Sequence, residues 1–585
     1  MTNSHIPIFY ACDDCFVKFT AVSIYSMIKN ASREYKYRIH ILHTCISDEN
    51  KRLISDLATD SFDICFEDIS EYLGSVADKL PLRDYYSKTT YFRLFIADIF
   101  PEYDKAIYLD SDTVVLGDIS KLYHTDISNM YLGACHERVM MQISEFGEYA
   151  ERVVGVSRYS FFNAGVLLIN CDLFRDRFLL DKFTQYLHTY NFVVTQDEDY
   201  LNLLCYDRVF WLDGRWNYEV LEGDVGGEET FIIHYIMANK PWHYADCPYG
   251  DIFWSYAKET AVFGELLRVL NNYSEGEKAR DRESAARLSE LALRETYRED
   301  NFLNRLNISR AKDRVEIVKR IEQYEREGRF FEDVENDPEG KVLRSEDIEY
   351  LEKGIWQRLK RAFAYAVARR FVRGLIEEKK LIIKEIRGIE NFRDLDSGAV
   401  ITCNHFNAYD SFVMQLTYEA SGHTDRQLFR VIREGNYTSF TGFYGFLMRN
   451  CNTLPLSSDR HTLKKFTASV GRLLSDGHFV LIYPEQSMWW NYRKPRPLKS
   501  GAFMFAAKNS VPVLPCFITM RDSDIIGEDG FFVQEYTVHV CKPIYPEAGL
   551  SYRKNMAMMM NKNFLLWRKI YESEYGMPLV YHTEN

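Results

Sequence analysis

The sequence KAIYLDSDTVVLGD, residues 105–118, joins a short apolar run directly to a pair of aspartates. The run Ala106–Leu109 predicts a buried strand that ends just before Asp110 and Asp112. Open α/β sheets bind ligands at the carboxyl ends of their strands, so such a strand would deliver two carboxylates to that edge. Carboxylate oxygens are hard ligands that suit Mg²⁺ or Mn²⁺. Because Asp-x-Asp triplets also occur in ordinary turns, the residues around this stretch decide its meaning.

Short β-type runs alternate with helical patterns on both sides of this stretch, from residue 6 to about residue 260. Residues from about 270 to 353 are instead charged and poor in glycine, with apolar residues three or four apart, which predicts helices. Near Gly354 the α/β alternation returns. The sequence thus predicts two distinct α/β domains, residues 1–268 and 354–585, joined by a charged helical connector, residues 269–353. We interpret the connector as a passive spacer, with recruitment of a partner protein as the alternative.

The composition limits the classes of function. With 72 basic and 85 acidic residues the chain carries a net charge of −13, so nucleic acid is not an expected partner. A hydrophobic fraction of 46% supplies enough apolar side chains for buried cores and excludes global disorder. The 12 cysteines are scattered, as free thiols are in a reducing compartment, which favours a cytoplasmic protein. The first residues lack the pattern of a standard signal peptide and no apolar run approaches about 18 residues, so neither secretion nor a membrane span is expected.

A second candidate site follows the apolar run Ala399–Thr402, which also predicts a strand. His405 and Asp410 come soon after this run. A histidine that takes a proton from an alcohol needs a carboxylate to hold its ring and to stabilise the imidazolium that forms. The pair by itself is also compatible with a loop histidine and an aspartate that caps a helix.

Five separated segments in the first part of the chain occur in a recognisable order: ACDDCF, YFRLFIADIFPEYDKAIYLDSD, FFNAGVLLIN, TQDEDYLN and HYIMANKPW. Together they resemble glycosyltransferase family 8, the retaining sugar-nucleotide transferases, over residues 6 to about 260. The resemblance implies a Rossmann-like domain of the glycosyltransferase A type. It also implies a nucleotide-sugar donor, with UDP-hexose favoured, and a bound Mn²⁺ or Mg²⁺.

The same resemblance implies roles for individual residues. The implied metal ligands are Asp110, Asp112 and His234. The implied nucleotide-sugar ligands are Ala11 and Asp13 at the nucleobase, Arg93 and Asn163 around the sugar, and Lys240 at the diphosphate. The implied catalytic residues are Asp197 and Glu198.

Three positions depart from the pattern of family 8, and one of them is Cys15, which replaces a frequent asparagine. Glu198 stands where the family commonly has glutamine. Its carboxylate would either stabilise an oxocarbenium-like centre or change which sugar hydroxyls are recognised. Met237 stands where the family commonly has glycine, and a side chain there would hinder close approach of the backbone to phosphate.

Four segments in the last part of the chain are NHFNAYD, VIREGNYTSFTGFYGFLMRNCNTLPLSSD, LIYPEQSMWW and LKSGAFMFAAKNSVPVLPCFI. Residues 395–545 therefore resemble the glycerolipid acyltransferases, whose best-known members acylate lysophosphatidate. The resemblance implies an α/β domain that transfers a fatty acyl group from acyl-CoA or acyl carrier protein. It implies that His405 is the general base, that Asp410 orients it and that Glu485 shapes the acceptor site.

The third of these segments reads PEQSMW where the acyltransferase family usually has PEGTRS, so the arginine of that motif is missing. Arg433 and Arg493 are the candidates for a relocated contact with a phosphate on the acyl acceptor. The alternative is an acceptor without phosphate at this point, such as a sugar hydroxyl.

Residues 356–373, WQRLKRAFAYAVARRFVR, contain six basic residues and no acidic one. Apolar residues at spacings of three and four, with arginines between them, are typical of a helix that lies on an anionic lipid surface. The alternative is a helix packed on its own domain with its arginines in water.

These patterns predict a bifunctional enzyme of glycolipid synthesis, cytoplasmic and peripherally associated with the inner face of the cell membrane. One half would transfer a sugar from a nucleotide-sugar and the other a fatty acyl group to a lipid or glycolipid acceptor. Two alternatives remain open from the sequence: only one half is catalytic and the other binds its ligand, or the chain is a membrane-associated scaffold that binds nucleotide and lipid.

Overall fold

The computed structural model describes residues 5–73, 88–225, 229–335, 340–351 and 354–583. The chain forms two compact units, Met1–Leu306 and Asn307–Asn585, and each contains a seven-stranded sheet. Helices cover both sheets, which confirms the prediction of two α/β folds.

Within the described residues, the first unit contains ten strands, thirteen complete α-helices and the first part of a fourteenth. The strands are β1 (Ile6–Ala11), β2 (Tyr37–His43), β3 (Phe62–Asp68), β4 (Lys105–Leu109), β5 (Thr113–Val115), β6 (Leu132–Ala134), β7 (Val166–Asn170), β8 (Val209–Trp211), β9 (Tyr218–Glu219) and β10 (Ile232–His234). The α-helices are α1 (Val17–Asn30), α2 (Asp48–Ser55), α3 (Ser70–Leu73), α4 (Ile96–Ile99), α5 (Ile119–Tyr123), α6 (Arg138–Gln142), α7 (Ser144–Tyr149), α8 (Cys171–Asp176), α9 (Leu179–Thr189), α10 (Asp197–Cys205), α11 (Gly250–Ala257), α12 (Phe263–Asn272), α13 (Glu275–Thr296) and α14 (Phe302–Ile308), within which the boundary of the unit falls. Three short helices of other types are Lys88–Phe95, Ala150–Val154 and Gly214–Asn217.

The large sheet of the first unit has the strand order β3-β2-β1-β4-β7-β6-β8. Its central strand β4 is parallel to β1 and antiparallel to β7. Side chains of β4 point alternately to the two faces, so Tyr108 joins one apolar core and Ile107 joins the other. Burial on both faces explains why this strand is an unbroken apolar run.

A small three-stranded sheet with the order β5-β10-β9 lies directly after β4. Strand β10 pairs antiparallel with β5, so that His234 is the register partner of Thr113. The turn from β4 to β5 contains Asp110 and Asp112. This pairing brings His234, more than one hundred residues away in the sequence, beside the two aspartates.

The second unit contains seven strands and the remaining α-helices. The strands are β11 (Ile382–Arg387), β12 (Ala399–Thr402), β13 (Leu428–Arg433), β14 (Thr453–Leu456), β15 (Phe479–Ile482), β16 (Val513–Ile526) and β17 (Phe532–Val540). The α-helices are α15 (Lys312–Arg326), α16 (Ile355–Glu377), α17 (Glu390–Arg393), α18 (Asp410–Ser421), α19 (Glu434–Thr438), α20 (Gly442–Asn450), α21 (Arg460–Ser475), α22 (Gly501–Asn509) and α23 (Tyr552–Tyr575). None of the helices in the described ranges combines the length and the apolar character that a bilayer span requires.

The sheet of the second unit has the order β11-β17-β16-β12-β15-β13-β14. Strand β12 lies between β15 and β16 and is parallel to both. All four residues of β12 are buried, and the chain leaves the sheet at its carboxyl end toward His405. The predicted strand before His405 is thus the centre of the sheet.

The region predicted as a helical connector, residues 269–353, is divided between the two units. Helix α13 lies in the first unit and begins with a capping box formed by Ser274 and Glu277. Helix α15 lies in the second unit, where Ile321 packs with Phe330 and Trp489. The predicted helices are therefore present, and those after Leu306 are part of the second α/β unit.

A close backbone approach at Gly398, just before β12, yields a test of the second fold. A Cβ atom there would lie 2.1 Å from the carbonyl oxygen of Leu474, which belongs to a rigid helix. Gly398→Ala is expected to lower the free energy of unfolding of this unit by about 1–3 kcal/mol, as overpacking does. Urea denaturation followed by circular dichroism measures the change. Gly374→Ala in α16, where no atom lies within 4 Å of the new Cβ, is the control and is expected to leave stability unchanged or higher. Equal stability of the two variants would contradict the described packing.

Candidate active sites

The first candidate site is a group of three side chains at the carboxyl end of β4. Potential ligand atoms of Asp110, Asp112 and His234 all lie within 4.8 Å of one another. The Nε2 atom of His234 is 3.2 Å from Oδ1 of Asp112 and 3.9 Å from Oδ2 of Asp110. The structure thus brings together the three residues that the sequence analysis assigned to one metal.

A chain of hydrogen bonds determines which nitrogen of His234 carries the proton. The backbone N–H of Gly165 donates to Oδ1 of Asn163 over 2.9 Å, and Nδ2 of Asn217 donates to the same oxygen over 2.8 Å. The Oδ1 atom of Asn217 then faces Nδ1 of His234 at 3.0 Å. Because an amide oxygen can only accept, Nδ1 carries the proton and Nε2 turns its lone pair toward the aspartates.

This arrangement fits a divalent cation. Within the described ranges, the buried Oδ1 atom of Asp112 has no hydrogen-bond partner, and it faces the lone pair of His234. Two electron-rich atoms at this separation repel each other unless a cation lies between them. Gly165 provides the space, because a Cβ atom there would lie 2.2 Å from Cε1 of His234 and 2.9 Å from Oδ2 of Asp110. One imidazole and two carboxylates form a ligand set that suits Mn²⁺ or Mg²⁺.

Lys240 lies against the same aspartate. Its Nζ atom is 2.5 Å from Oδ2 of Asp112 and also contacts the carbonyl oxygen of Tyr235. Burial alone would raise the pKa of Asp112, but the ammonium group of Lys240 outweighs it and holds the pKa below its usual range. Asp112 is therefore ionised. Nearby, Met237 has a φ of 54°, a backbone conformation that favours glycine, so the residue replaces glycine at a strained position.

Arg93 connects the aspartates of the β4 turn to the start of α10. Its guanidinium lies 3.3 Å from Oδ1 of Asp110 and 3.0 Å from Oδ2 of Asp197, and it stacks over the ring of Tyr108. Burial raises the pKa of Asp197 to about 6, and Arg93 opposes that rise. The buried guanidinium of Arg93 therefore lies between the carboxylates of Asp110 and Asp197 and pairs with both.

Glu198 is half-buried and lies beside other carboxylates. Its Oε2 atom accepts the backbone N–H of Ala164 over 3.0 Å. Burial raises its pKa well above the usual value, and the nearby Glu137 adds to the rise. Glu137 in turn accepts from Nδ2 of Asn163 over 2.6 Å. The protonated form of Glu198 is thus favoured in this surrounding.

The two residues predicted at the nucleobase lie at the end of β1. The backbone carbonyl of Ala11 accepts from the hydroxyl of Ser111 over 3.3 Å. Oδ1 of Asp13 accepts the backbone N–H groups of Cys15 and Phe16, at 3.0 and 3.1 Å. Asp13 thus holds the loop that leads into α1, close to the turn that contains Asp110 and Asp112.

The second candidate site follows β12. The Nδ1 atom of His405 is 2.5 Å from Oδ2 of Asp410, and the hydroxyl of Tyr483 donates to Oδ1 of Asp410 over 2.9 Å. The rings of His405 and Tyr483 stack with their centroids 4.3 Å apart. Because the buried carboxylate of Asp410 accepts a hydrogen bond from Nδ1–H, the lone pair of the His405 ring is on the other nitrogen, Nε2.

Glu485 supports the loop that contains His405. One oxygen accepts the backbone N–H of His405 over 3.0 Å, and the other accepts the backbone N–H of Arg496 over 2.8 Å. The guanidinium of Arg496 lies 3.1 Å from Glu485 and 4.8 Å from the ring of Trp489. Both charged side chains are buried, so Glu485 acts on the backbone of the site in this structure, and its contact with an acceptor stays a prediction.

His405 and Asp410 line a cavity of about 870 Å³ in the second unit. Its apolar lining residues include Ala368, Val372, Ile376, Phe412, Leu416, Leu447, Met448, Phe466 and Phe505. Arg433, a predicted acceptor ligand, also lines the cavity. Arg493, the other one, is not among the described lining residues, and it pairs with Asp522 over 2.9 Å. The cavity is large enough for a fatty acyl chain.

Three residues of these sites were missed by sequence reasoning. Asn217, which orients His234, lies in the short helix Gly214–Asn217. Tyr483, which donates to Asp410, comes directly after β15. Glu219, whose buried Oε1 atom has no hydrogen-bond partner among the described residues, belongs to β9. No spacing or composition distinguishes these positions, because each acts through a contact with a residue distant in sequence.

The folds and the two sites together define a chain with two transferase domains. Residues 7–246 match the family model described as Glycosyl transferase family 8, and residues 384–519 match the model described as Acyltransferase. The chain belongs to glycosyl transferase family 8, and its second unit carries an acyltransferase domain.

Individual relatives and solved structures are each similar to only a part of this chain. A putative glycosyltransferase of Haemophilus influenzae is 30% identical over 264 residues, which cover 42% of this chain and 76% of the relative. General stress protein A of Bacillus subtilis is 25% identical over 279 residues and is covered to 91% of its length, again by 42% of this chain. The solved 1-acyl-sn-glycerophosphate acyltransferase PlsC of Thermotoga maritima is 15% identical, with a TM-score of 0.24, over 36% of this chain and 96% of that one. The predicted families and the predicted class of enzyme are confirmed by the two family matches.

The space at Gly165 yields a test of the metal cluster. Gly165→Ala would push His234 and Asp110 apart, so the affinity for Mn²⁺ is expected to fall roughly 10–100-fold, as it does when ligand orientation is lost. Electron paramagnetic resonance of unbound Mn²⁺ measures the affinity. Gly214→Ala, where the new Cβ has no neighbour within 4 Å, is the control and is expected to bind like the natural protein. Unchanged binding by Gly165→Ala would exclude this cluster as the Mn²⁺ site.

Proposed function

We propose that the chain is a bifunctional enzyme of glycolipid synthesis, which transfers a hexose from a UDP-sugar and a fatty acyl group from acyl-CoA or acyl carrier protein. The observation that carries the proposal is that each unit contains a histidine whose Nδ1 atom is held by a neighbouring side chain, Asn217 in the first unit and Asp410 in the second. His234 lies beside two aspartates with which it could bind a cation. His405 lines a large apolar cavity that could hold an acyl chain.

In the first unit, Asp110, Asp112 and His234 would hold Mn²⁺ or Mg²⁺, which supplies positive charge to neutralise the diphosphate of the leaving nucleotide. Lys240 would add a second positive charge there, by turning from Asp112 toward the diphosphate. Ala11 and Asp13 would contact the nucleobase, at the end of β1.

The sugar would lie among Arg93, Asn163, Asp197 and Glu198. Because burial favours the protonated form of Glu198, we expect its carboxyl group to donate a hydrogen bond to a sugar hydroxyl. A neutral acid gives little support to a positively charged sugar carbon, so recognition of hydroxyls is the better of its two predicted roles. Asp197, held by Arg93, would face the reacting carbon on the retaining path.

In the second unit, His405 would take the proton of an acceptor hydroxyl while Asp410 stabilises the imidazolium. The hydroxyl oxygen attacks the thioester carbonyl, the new C–O bond forms, the C–S bond breaks, and the thiol leaves with the proton from His405. Glu485 would keep the backbone of His405 in place through this step.

The position of α16 supports peripheral binding to the inner face of the cell membrane. The exposed fractions of Trp356, Leu359 and Phe363 are 76%, 54% and 64%, which is unusual for large apolar side chains. Other residues of the same helix, Ala368 and Val372, line the acyl cavity. Helix α16 thus combines exposed apolar side chains and basic residues with side chains that line the cavity. Such a helix on the membrane surface would let lipid substrates reach His405 from the membrane.

Separate loss of the two activities tests the proposal. Asp112→Ala is expected to lower sugar transfer from UDP-hexose by roughly 100-fold or more and to leave acyl transfer unchanged. His405→Ala is expected to do the reverse, because it removes the base. Sugar transfer is measured by release of UDP and acyl transfer by release of free thiol. The exposed Asp126→Ala and His461→Ala variants are the matched controls. Loss of both activities in either single variant would contradict two independent sites. If the natural protein lacked one of the two activities, the corresponding unit would be a ligand-binding domain and not an enzyme.

Liposome binding tests the role of α16. Replacement of Trp356, Leu359 and Phe363 by serine removes exposed apolar area, so sedimentation with phosphatidylglycerol vesicles at low salt is expected to fall several-fold. Added salt is expected to weaken binding of the natural protein as well. Leu565→Ser, at a residue that is 51% exposed in α23, is the control. Binding that survives the triple replacement would place the membrane contact elsewhere.

A further inference from the structure

A short segment before α16 forms part of the acyltransferase site. The backbone carbonyls of three residues in Phe330–Val334 accept from side chains of the second unit. Phe330 accepts from Arg496 over 2.9 Å, Glu332 accepts from Nε1 of Trp489 over 2.9 Å, and Val334 accepts from Arg320 over 2.6 Å. Backbone contacts of this kind fix the path of the segment, so its side chains have defined positions.

The side chain of Asp333 meets Arg433 in a two-point contact. Oδ2 of Asp333 accepts from Nη1 of Arg433 over 2.7 Å, and Oδ1 accepts from Nη2 over 2.6 Å. Both residues line the same cavity as His405. The forked geometry is the one that an arginine uses for a phosphate, so Asp333 already fills the position that a phosphate on the acceptor would take.

The described cavity lining contains equal numbers of basic and acidic side chains. The lining cations other than histidine are Arg369, Arg373, Arg430 and Arg433, and the lining carboxylates are Asp333, Glu335, Asp410 and Glu419. Arg369 pairs with Glu419 over 3.0 Å. Four positive and four negative side chains leave the described lining with no excess of positive charge. A phosphate monoester would have to displace Asp333 from Arg433 or lie beside its carboxylate, which repels an anion.

We infer that Asp333 makes the acceptor site selective for an uncharged hydroxyl compound, such as a glycosyl glycerolipid, and against a phosphate monoester. The inference rests on the proposed acyl transfer by His405. Asp333 acts as a specificity-determining residue: it neutralises Arg433 and excludes a second anion. An acceptor of this class is chemically what a sugar transfer to a lipid produces.

The test compares two acceptors that differ in one phosphate. Acyl transfer from palmitoyl-CoA is measured with monoacylglycerol and with lysophosphatidate of the same chain, each in neutral detergent micelles, and with a monohexosyl monoacylglycerol as a third acceptor. The natural protein is expected to have a kcat/KM for the uncharged acceptors roughly ten-fold or more above that for lysophosphatidate. Asp333→Asn keeps the shape and removes the charge, so it is expected to lower the KM for lysophosphatidate and to reduce the preference roughly ten-fold.

Controls separate the possible failures. Glu327→Gln removes an exposed carboxylate that pairs with Arg329 over 2.6 Å outside the cavity, and it is expected to leave the preference unchanged. Asp333→Ser provides the same test if the asparagine variant does not fold. Equal or better use of lysophosphatidate by the natural protein would overturn the inference, as would an unchanged preference in both Asp333 variants. Transfer to none of the three acceptors would reject acyl transfer itself, and the inference with it.

Discussion

Both sites depend on one constraint, which is that a strand buried on both faces has no place for a charged side chain until it leaves the sheet. Strand β4 lies between β1 and β7, and β12 lies between β15 and β16. Residues 106–109 and 399–401 are apolar and buried, and the last residue of β12, Thr402, is buried as well. The first charged groups therefore come at the carboxyl ends, where Asp110 and His405 reach a surface that can bind a ligand.

The two histidines differ in the group that holds Nδ1, and this difference matches two kinds of chemistry. His234 faces the amide oxygen of Asn217, and His405 faces the carboxylate of Asp410. A neutral acceptor orients the ring without adding a negative charge, as the partners of metal-binding histidines commonly do. A carboxylate instead stabilises the charged ring, which helps it to take a proton. The same side chain is thus held by a neutral amide in one unit and by a carboxylate in the other.

Much of this could be predicted from the sequence because it rests on local pattern. The apolar runs before Asp110 and His405 identified the central strands, and the helical spacing of residues 269–353 identified helices. Asn217 could not be found, because its effect on His234 needs the pairing of β9 and β10. Nor could Asp333, which lies 100 residues from Arg433. Arg493 follows the segment in which the arginine of the acyltransferase motif is missing, which made it a candidate, but its guanidinium pairs with Asp522.

The contacts of residues 330–334 also bear on which gene segments can be exchanged between such proteins in evolution. The compact second unit begins at Asn307, whereas the match to the acyltransferase family covers only residues 384–519. A recombination event at the edge of the matched region would move the histidine and its aspartate but leave behind a wall of their cavity. The smallest piece of gene that can be exchanged with its substrate preference intact is therefore longer than the shared family core.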